Sequence, residues 1–346
     1  MPRSADKISV TSCLKKCSKN FVKHILAFLG SKKYKLWRDN IKRFKQEQQQ
    51  EQRRKLTGNF EQINQRRTKA FDKFDDEYIC NRIPSTYEQA LNTKFDEYKY
   101  AVTGSDMVWR NWSGTKEDLE YFYLAFMPEN KRVNYAPSFG FKKFDKKFYE
   151  LNKKYLSAFK KLSCRESEGC DLIKQTTGRE AIQVIDPTFL ITAEQWRKIS
   201  KKPSYNIPEK YALLYSFGRL DEEQSQAMKK ICGDMKIIDI FNWEDIEHYL
   251  TTPDEFLWLI DHAEIIFTSS FHGTAFSINF KKNFISFGEY SYKIKDILSR
   301  LGISDRIYRS GSKIPEGGID YGAVDEKLNA WREISMSYLR DCLELN

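Results

Sequence analysis

The sequence predicts an α/β protein of two Rossmann-like domains facing one another across a cleft, preceded by a basic helical arm. Three observations carry that prediction. Short apolar runs alternate with helix-length segments in both halves of the 346-residue chain, the pattern of strands feeding crossover helices in a parallel sheet. A polar stretch at 197–210, holding Pro203 and Pro208, separates the halves and reads as a linker. Residues 1–70 carry 19 Lys and Arg against 5 Asp and Glu, whereas the remainder carries 39 against 43.

Composition bounds the class. With 40% hydrophobic residues, the chain can bury ample core for two domains. The seven cysteines, Cys13, Cys17, Cys80, Cys164, Cys170, Cys232 and Cys342, form no CxxC pair and meet no His cluster, so we expect reduced thiols, no metal and a cytoplasmic setting. No cleavable signal is visible. The apolar run at 21–29 is broken by Lys23 and His24 and is too short to span a bilayer.

In the arm, Leu14, Phe21, Ile25, Phe28 and Leu29 recur at helical spacing, and Gly30 supplies a stop. A second stripe, Tyr34, Trp37, Ile41 and Phe44, runs into KQEQQQEQRRK at 45–55, which is polar all round. The arm can pack on the body with a solvated basic face, or meet an anionic membrane surface. The first reading is the plainer; with no nucleic-acid motif present, nucleic acid is not expected as a partner.

Along the body, TYEQA at 86–90 looks like a capped helix start, and a strand at 98–103 ends in GSDMVW at 104–109. Gly104 permits close backbone approach, while Ser105 and Asp106 place a hydroxyl and a carboxylate at a strand's carboxyl edge. KRVNYAPSFG at 131–140 repeats that logic. LSCRE at 162–166 leads into a helix, so Arg165 stands at a strand-to-helix junction where a guanidinium can hold an anion. A strand at 181–186 ends at Asp186-Pro187. After the linker come a strand at 211–216, a helix at 221–232, a strand at 236–240 and a helix at 253–262.

The stretch EIIFTSSFHGTAFSINF at 264–280 organises the rest. An apolar strand meets a small polar turn, the pair His272-Gly273 follows, and a helix begins at Thr274. A turn at the carboxyl end of a strand can aim backbone N–H groups and one imidazole at an anion; the plainer alternative for His272 is a satisfied core imidazole.

Six segments, GSDMVW (104–109), NYAPSFG (134–140), CRE with Gly169 following (164–169), DPTFL (186–190), TSSFHGTAFSI (268–278) and ISDRI (303–307), resemble the polysaccharide pyruvyl transferase family. Their order and separations are similar too, over about residues 70–345. The resemblance implies a fold similar to the two-domain glycosyltransferase B architecture. It also implies transfer of the enolpyruvyl unit of phosphoenolpyruvate onto sugar hydroxyls as a ketal, with no cofactor beyond that donor. The acceptor would be a cell-surface polysaccharide or its lipid-linked precursor. By the same resemblance Arg165 would hold the donor's anionic groups and His272 would contact them and act as acid or base. Gly273 would let the backbone approach the donor, with Ser269, Ser270, Thr274, Ser105 and Asp106 as supporting contacts.

Two departures from the family pattern shape further expectations. Ser270 stands where many members carry Arg, and nothing in 1–70 matches the family's opening strand and Asn-Tyr-Gly turn. The N-terminal domain is therefore expected to lack its first βα unit, through truncation or divergence, and to expose an apolar sheet edge. The domain division that follows is an arm at 1–70, an N-terminal domain at 71–200, a C-terminal domain at 201–330 and a helix at 331–346 crossing back. Cytoplasmic placement, with the arm at the inner face of a membrane as the sharper variant, completes the reading. A nucleotide-sugar glycosyltransferase on the same fold and an inactive, membrane-associated binding protein are the alternatives.

Overall fold

The computed structural model describes residues 60–79 and 86–345; the expected arm helices over 14–29 and 34–44 and the polar segment at 45–55 lie outside them. Two compact units divide the chain, residues 1–65 and 66–346. The first is described only where helix α1 (Phe60–Tyr78) begins.

In the second unit the strands are parallel throughout. β1 (Ala101–Thr103) pairs with β2 (Arg132–Asn134), and β3 (Ser163–Cys164) with β4 (Ile182–Gln183). β5 (Tyr211–Tyr215), β6 (Lys236–Asp239), β7 (Ile265–Thr268) and β8 (Phe284–Ser286) form one sheet in the order β6-β5-β7-β8. That order starts at β5, steps out to β6 and returns to β7, so it reverses between β5 and β7. Such a reversal opens a crevice at the carboxyl ends of the two strands.

The N-terminal half differs from a single Rossmann-like sheet, because its strands split into two pairs. A side chain bridges the gap. Asn134, the last residue of β2, accepts from the Ser163 N–H through Oδ1 at 2.8 Å and donates through Nδ2 to the Lys161 carbonyl at 2.7 Å. Side-chain bonds thus stand where ladder bonds would run. No strand among the described residues pairs with the outer edge of β1; a groove of about 420 Å³, lined by Tyr98, Val102, Tyr121 and Phe126, borders it.

Helices connect these strands, and their ends follow from capping residues. They are α2 (Tyr87–Leu91), α3 (Lys116–Phe122), α4 (Tyr149–Ser157), α5 (Ser167–Thr177), α6 (Ala193–Arg197), α7 (Glu222–Cys232), α8 (Ile246–Tyr249), α9 (Pro253–His262), α10 (Phe271–Asn279), α11 (Tyr292–Leu301) and α12 (Tyr321–Leu343). Capping boxes at Asp221 with Gln224 and at Thr252 with Glu255 begin α7 and α9 where the sequence placed them. The helix expected from Thr274 begins three residues earlier, at Phe271. Its N-cap is Ser270, whose hydroxyl accepts from the Gly273 N–H at 3.4 Å.

Each half keeps its own core. Trp109, Tyr123, Phe139 and Phe159 fill the N-terminal one, with the Trp109 and Tyr123 rings stacked at 5.1 Å. Leu213, Ile238, Leu259, Ile266 and Phe284 fill the C-terminal one. Helix α12 joins both: Val324, Leu328 and Trp331 enter the C-terminal core, while Tyr338 packs on Tyr135, Ala136 and Val184. The Ser335 hydroxyl accepts from the Ile185 N–H at 2.9 Å, which pins the helix to the segment leading out of β4. Among the described residues, no helix is long and apolar enough to cross a membrane, and Cys164, Cys170, Cys232 and Cys342 are free thiols.

Candidate active site

Four chain segments, each leaving the carboxyl end of a strand, converge on one cluster. Gly104 to Asp106 follow β1, Arg165 and Glu166 follow β3, Asp186 follows β4, and the Ser269 to His272 turn follows β7. Gly104 adopts φ of 121°, and a Cβ there would lie 1.9 Å from the Tyr135 carbonyl oxygen. Only glycine allows the loop after β1 to lie against the loop after β2.

Arg165 is the centre of the cluster. Its side chain is 2% exposed. Nη1 donates to Asp186 Oδ2 at 2.7 Å, Nε to Glu166 Oε1 at 2.9 Å, and Nη2 to Asp106 Oδ1 at 3.1 Å. The Phe271 ring covers the guanidinium, with its centroid 4.4 Å from Cζ. A buried guanidinium met by three carboxylates is an anchor: its charge is compensated locally, and three of its five N–H groups are given to protein.

Asp186 is equally enclosed. Oδ1 accepts from the Thr188 N–H at 3.0 Å and the Thr188 hydroxyl at 2.8 Å, and Oδ2 accepts from the Ser105 hydroxyl at 3.2 Å. Burial works to raise its carboxyl, but Arg165 and His272, with these hydrogen bonds, outweigh it and hold the group below the usual carboxylate range. Glu166 shows the opposite balance. Burial dominates there and raises it despite Arg165.

His272 faces the crevice. Its side chain is 37% exposed, and Nε2 lies 3.9 Å from Asp186 Oδ2, an electrostatic contact rather than a hydrogen bond. Burial lowers its pKa, with Arg165 acting in the same sense and Asp186 and Asp106 opposing, so the imidazole is neutral at pH 7. Lys293, in the first turn of α11, brings Nζ to 3.5 Å from Asp106 Oδ1. Burial and then Arg165 lower its pKa. Asp106 thus bridges two cations; burial works to raise it, but Arg165 and Lys293 prevail and keep it ionised at neutral pH.

Among the residues expected at the site, Arg165, His272, Ser105 and Asp106 come together. The other four make structural contacts. Ser270 is buried and caps α10, and the Thr274 hydroxyl donates to the Ser270 carbonyl at 3.0 Å. Gly273 gives its N–H to that cap, and a Cβ on it would lie 2.2 Å from Thr268 Oγ1 and 2.7 Å from Tyr215 Cδ1. Its missing side chain therefore serves the close approach of α10 to β7 and β5. Ser269 joins the two loops of the switch point, accepting from the Ser216 hydroxyl at 2.9 Å and the Phe217 N–H at 3.0 Å.

Asp186, Glu166, Phe271 and Lys293 were missed as site residues by sequence reasoning. Three of them sit inside quoted motifs, adjacent to Pro187, Arg165 and His272, so their proximity to the site was legible. Lys293 had no such signal, because only the packing of α11 brings it in.

The description "Polysaccharide pyruvyl transferase" belongs to a family model that matches residues 15–292. The match reaches further into the arm than the six motifs do, and ends just before Lys293. No curated protein matches the chain.

Proposed function

We propose, for a chain that belongs to the polysaccharide pyruvyl transferase family, that this cluster moves the enolpyruvyl unit of phosphoenolpyruvate onto hydroxyls of a polysaccharide or its lipid-linked precursor. Family membership makes the protein a transferase of polysaccharide biosynthesis; the donor, the ketal product and the residue roles are our reading. One observation supports it above the others: a partly exposed imidazole, held neutral by burial, stands beside a carboxylate that bridges two cations, Arg165 and Lys293. The β6-β5-β7-β8 order also supports reading β5 to β8 as one Rossmann-like half of a glycosyltransferase-B-like pair, with β1 to β4 as the other.

The donor carries a phosphate and a carboxylate, so it needs fixed positive charge. Lys293 supplies it, with the positive end of the α10 dipole in support. The Asp106 carboxylate, held between Arg165 and Lys293, stands where a donor anion is best accommodated, and the donor displaces it. Protonation of the donor's methylene carbon develops positive charge at C2, stabilised by the attached oxygen. Neutral His272 takes the proton of an acceptor hydroxyl and, as imidazolium, is the acid that protonates the methylene carbon; the acceptor oxygen adds to C2 as the charge develops there. The imidazolium that forms in transit is favoured by Asp186. The C2–O bond to phosphate then breaks, the phosphate leaves with the electron pair, and the second hydroxyl closes the ketal as its proton passes to the departing phosphate.

Incubation of the purified chain with phosphoenolpyruvate and a panel of microbial glycan acceptors tests the reading. Phosphate release with a pyruvylated acceptor, seen by mass, is the expected result. Transfer from a nucleotide sugar in its place would refute it.

A further inference from the structure

Outside the cluster, the positive charge of the body is concentrated in one short stretch. Residues 141–161 hold eight lysines against Asp145 and Glu150, whereas the rest of residues 71–346 holds 31 basic against 41 acidic residues. The stretch runs from a loop into α4. Lys142, Lys143 and Lys146 converge on a cavity of about 610 Å³ whose far wall is the carboxyl-terminal part of α5, with Gln175 and Thr176. Lys153 lies four residues beyond Tyr149, another residue of the cavity wall, and so extends the same face by one helical turn.

Five of these lysines have no acid to answer them. Lys143, Lys146, Lys147, Lys153 and Lys154 are exposed, and among the described residues none of them makes an ion pair. The paired lysines mark the margins: Lys142 reaches Glu168 at 3.5 Å and Lys160 reaches Glu344 at 3.9 Å. Beside them Tyr149 is 37% exposed, an amphipathic ring of the kind that settles at headgroup depth.

From this concentration we infer that the 141–161 surface docks the protein on an anionic lipid bilayer through phospholipid headgroups. The chemistry favours a lipid surface over a single phosphate ligand. A discrete phosphate site uses arginine forks or converging backbone N–H groups, while these ammonium groups are spread over a loop and a helix, and of the five without an acid only Lys143 and Lys146 line the cavity. Summed weak attraction to many headgroups suits that arrangement, at about one kT-scale increment or more per lysine near the surface. The inference does not depend on which donor the cluster uses.

Co-sedimentation of the full chain with phosphatidylcholine vesicles containing about one third phosphatidylglycerol tests it. The variant carries Lys143→Gln, Lys146→Gln, Lys147→Gln, Lys153→Gln and Lys154→Gln. Because all five side chains are exposed and make no ion pair, with only the ring contacts of Lys147 on Phe148 and Lys154 on Tyr155 to lose, its thermal melt should stay close to that of the parent. Its partition onto the vesicles should fall by about tenfold or more, and the parent's binding should weaken with added salt. A control variant neutralises Lys210, Lys229, Lys230, Lys236 and Lys313, exposed elsewhere on the body, and should bind like the parent. The inference is overturned if the parent does not bind, if the two variants lose binding equally, or if the five-fold variant binds unchanged because the arm does all the work. Competition by soluble pyrophosphate at low concentration would also overturn it, turning the surface into a phosphate subsite.

Discussion

Arg165 and Asp186 form the buried pair on which the cluster is built: Nη1 donates to Oδ2 at 2.7 Å, and the side chains are 2% and 1% exposed. Removing either partner leaves a charge in a place water does not reach. Arg165→Ala should therefore destabilise the fold by about 3–5 kcal/mol, measured as the shift of the denaturant midpoint with the slope unchanged. If Arg165 only held the donor's anionic groups, as the resemblance implies, the same substitution would cost turnover in an intact fold. A melt unchanged by the substitution would reinstate that view and remove the anchor role.

Arg165→Lys separates charge from geometry. A lysine keeps one positive charge but cannot donate to Asp186, Glu166 and Asp106 from one rigid plane. Turnover should fall by an order of magnitude or more, while stability recovers part of what alanine loses. Full activity in the lysine variant would show that the fork is dispensable.

His272→Gln should leave the melt intact, since the side chain is 37% exposed, and lower kcat by about 10²–10⁴-fold. The pH profile gives a second check. Burial depresses the imidazole pKa below its ordinary value of 6.5, so His272 stays neutral through pH 7. The acid-side fall of kcat/KM should therefore lie below pH 6.5 and vanish in the glutamine variant. A fall centred above that value would mean that another group titrates.

Asp106→Asn should lower the KM for phosphoenolpyruvate several-fold, because it removes the carboxylate that competes for Arg165 and Lys293. With its side chain 55% exposed, the substitution should be mild for the fold. A raised KM would place Asp106 among the donor's own contacts.

Gly273→Ala should destabilise by about 1–3 kcal/mol, read as a drop in Tm, since its methyl would press on Thr268 and Tyr215. Moving α10 away from β7 also moves His272, so activity should fall with it. An alanine variant with unchanged Tm would show that the helix can shift freely.

The depressed carboxyls set the acid limit of stability. Asp186 and Asp106 are held below their unfolded values by Arg165 and, for Asp106, Lys293. Their contribution is present above the ordinary carboxylate pKa and is lost as pH falls through the folded values. Acid unfolding followed by circular dichroism should begin below about pH 4, and Asp186→Asn should flatten that limb.

Local signals carried the sequence a long way. Alternating apolar runs and helix-length segments were enough for parallel α/β structure, and the capped start at TYEQA, with Thr86 as the N-cap, was legible because a cap acts within three residues of itself. The motifs around Arg165 and His272 were enough for the family, which the match over 15–292 shows. Ser270 was read as a turn residue facing a ligand, because its part in a cap depends on a helix start that apolar spacing alone set at Thr274.

What the tertiary structure decided concerns groups far apart in the chain. Lys293 meets Asp106 across 187 residues and Asp186 meets Arg165 across 21, and no periodicity or motif spacing encodes such pairs. They arise because β1, β3, β4 and β7 end at one crevice, where burial makes every unpaired charge costly and forces the guanidinium and carboxylates to satisfy one another. The sequence determined which chemical groups the protein carries and which family it belongs to. The fold decided that Arg165 is tied to Asp186, Glu166 and Asp106, with the partly exposed His272 beside Asp186 and Lys293 on Asp106.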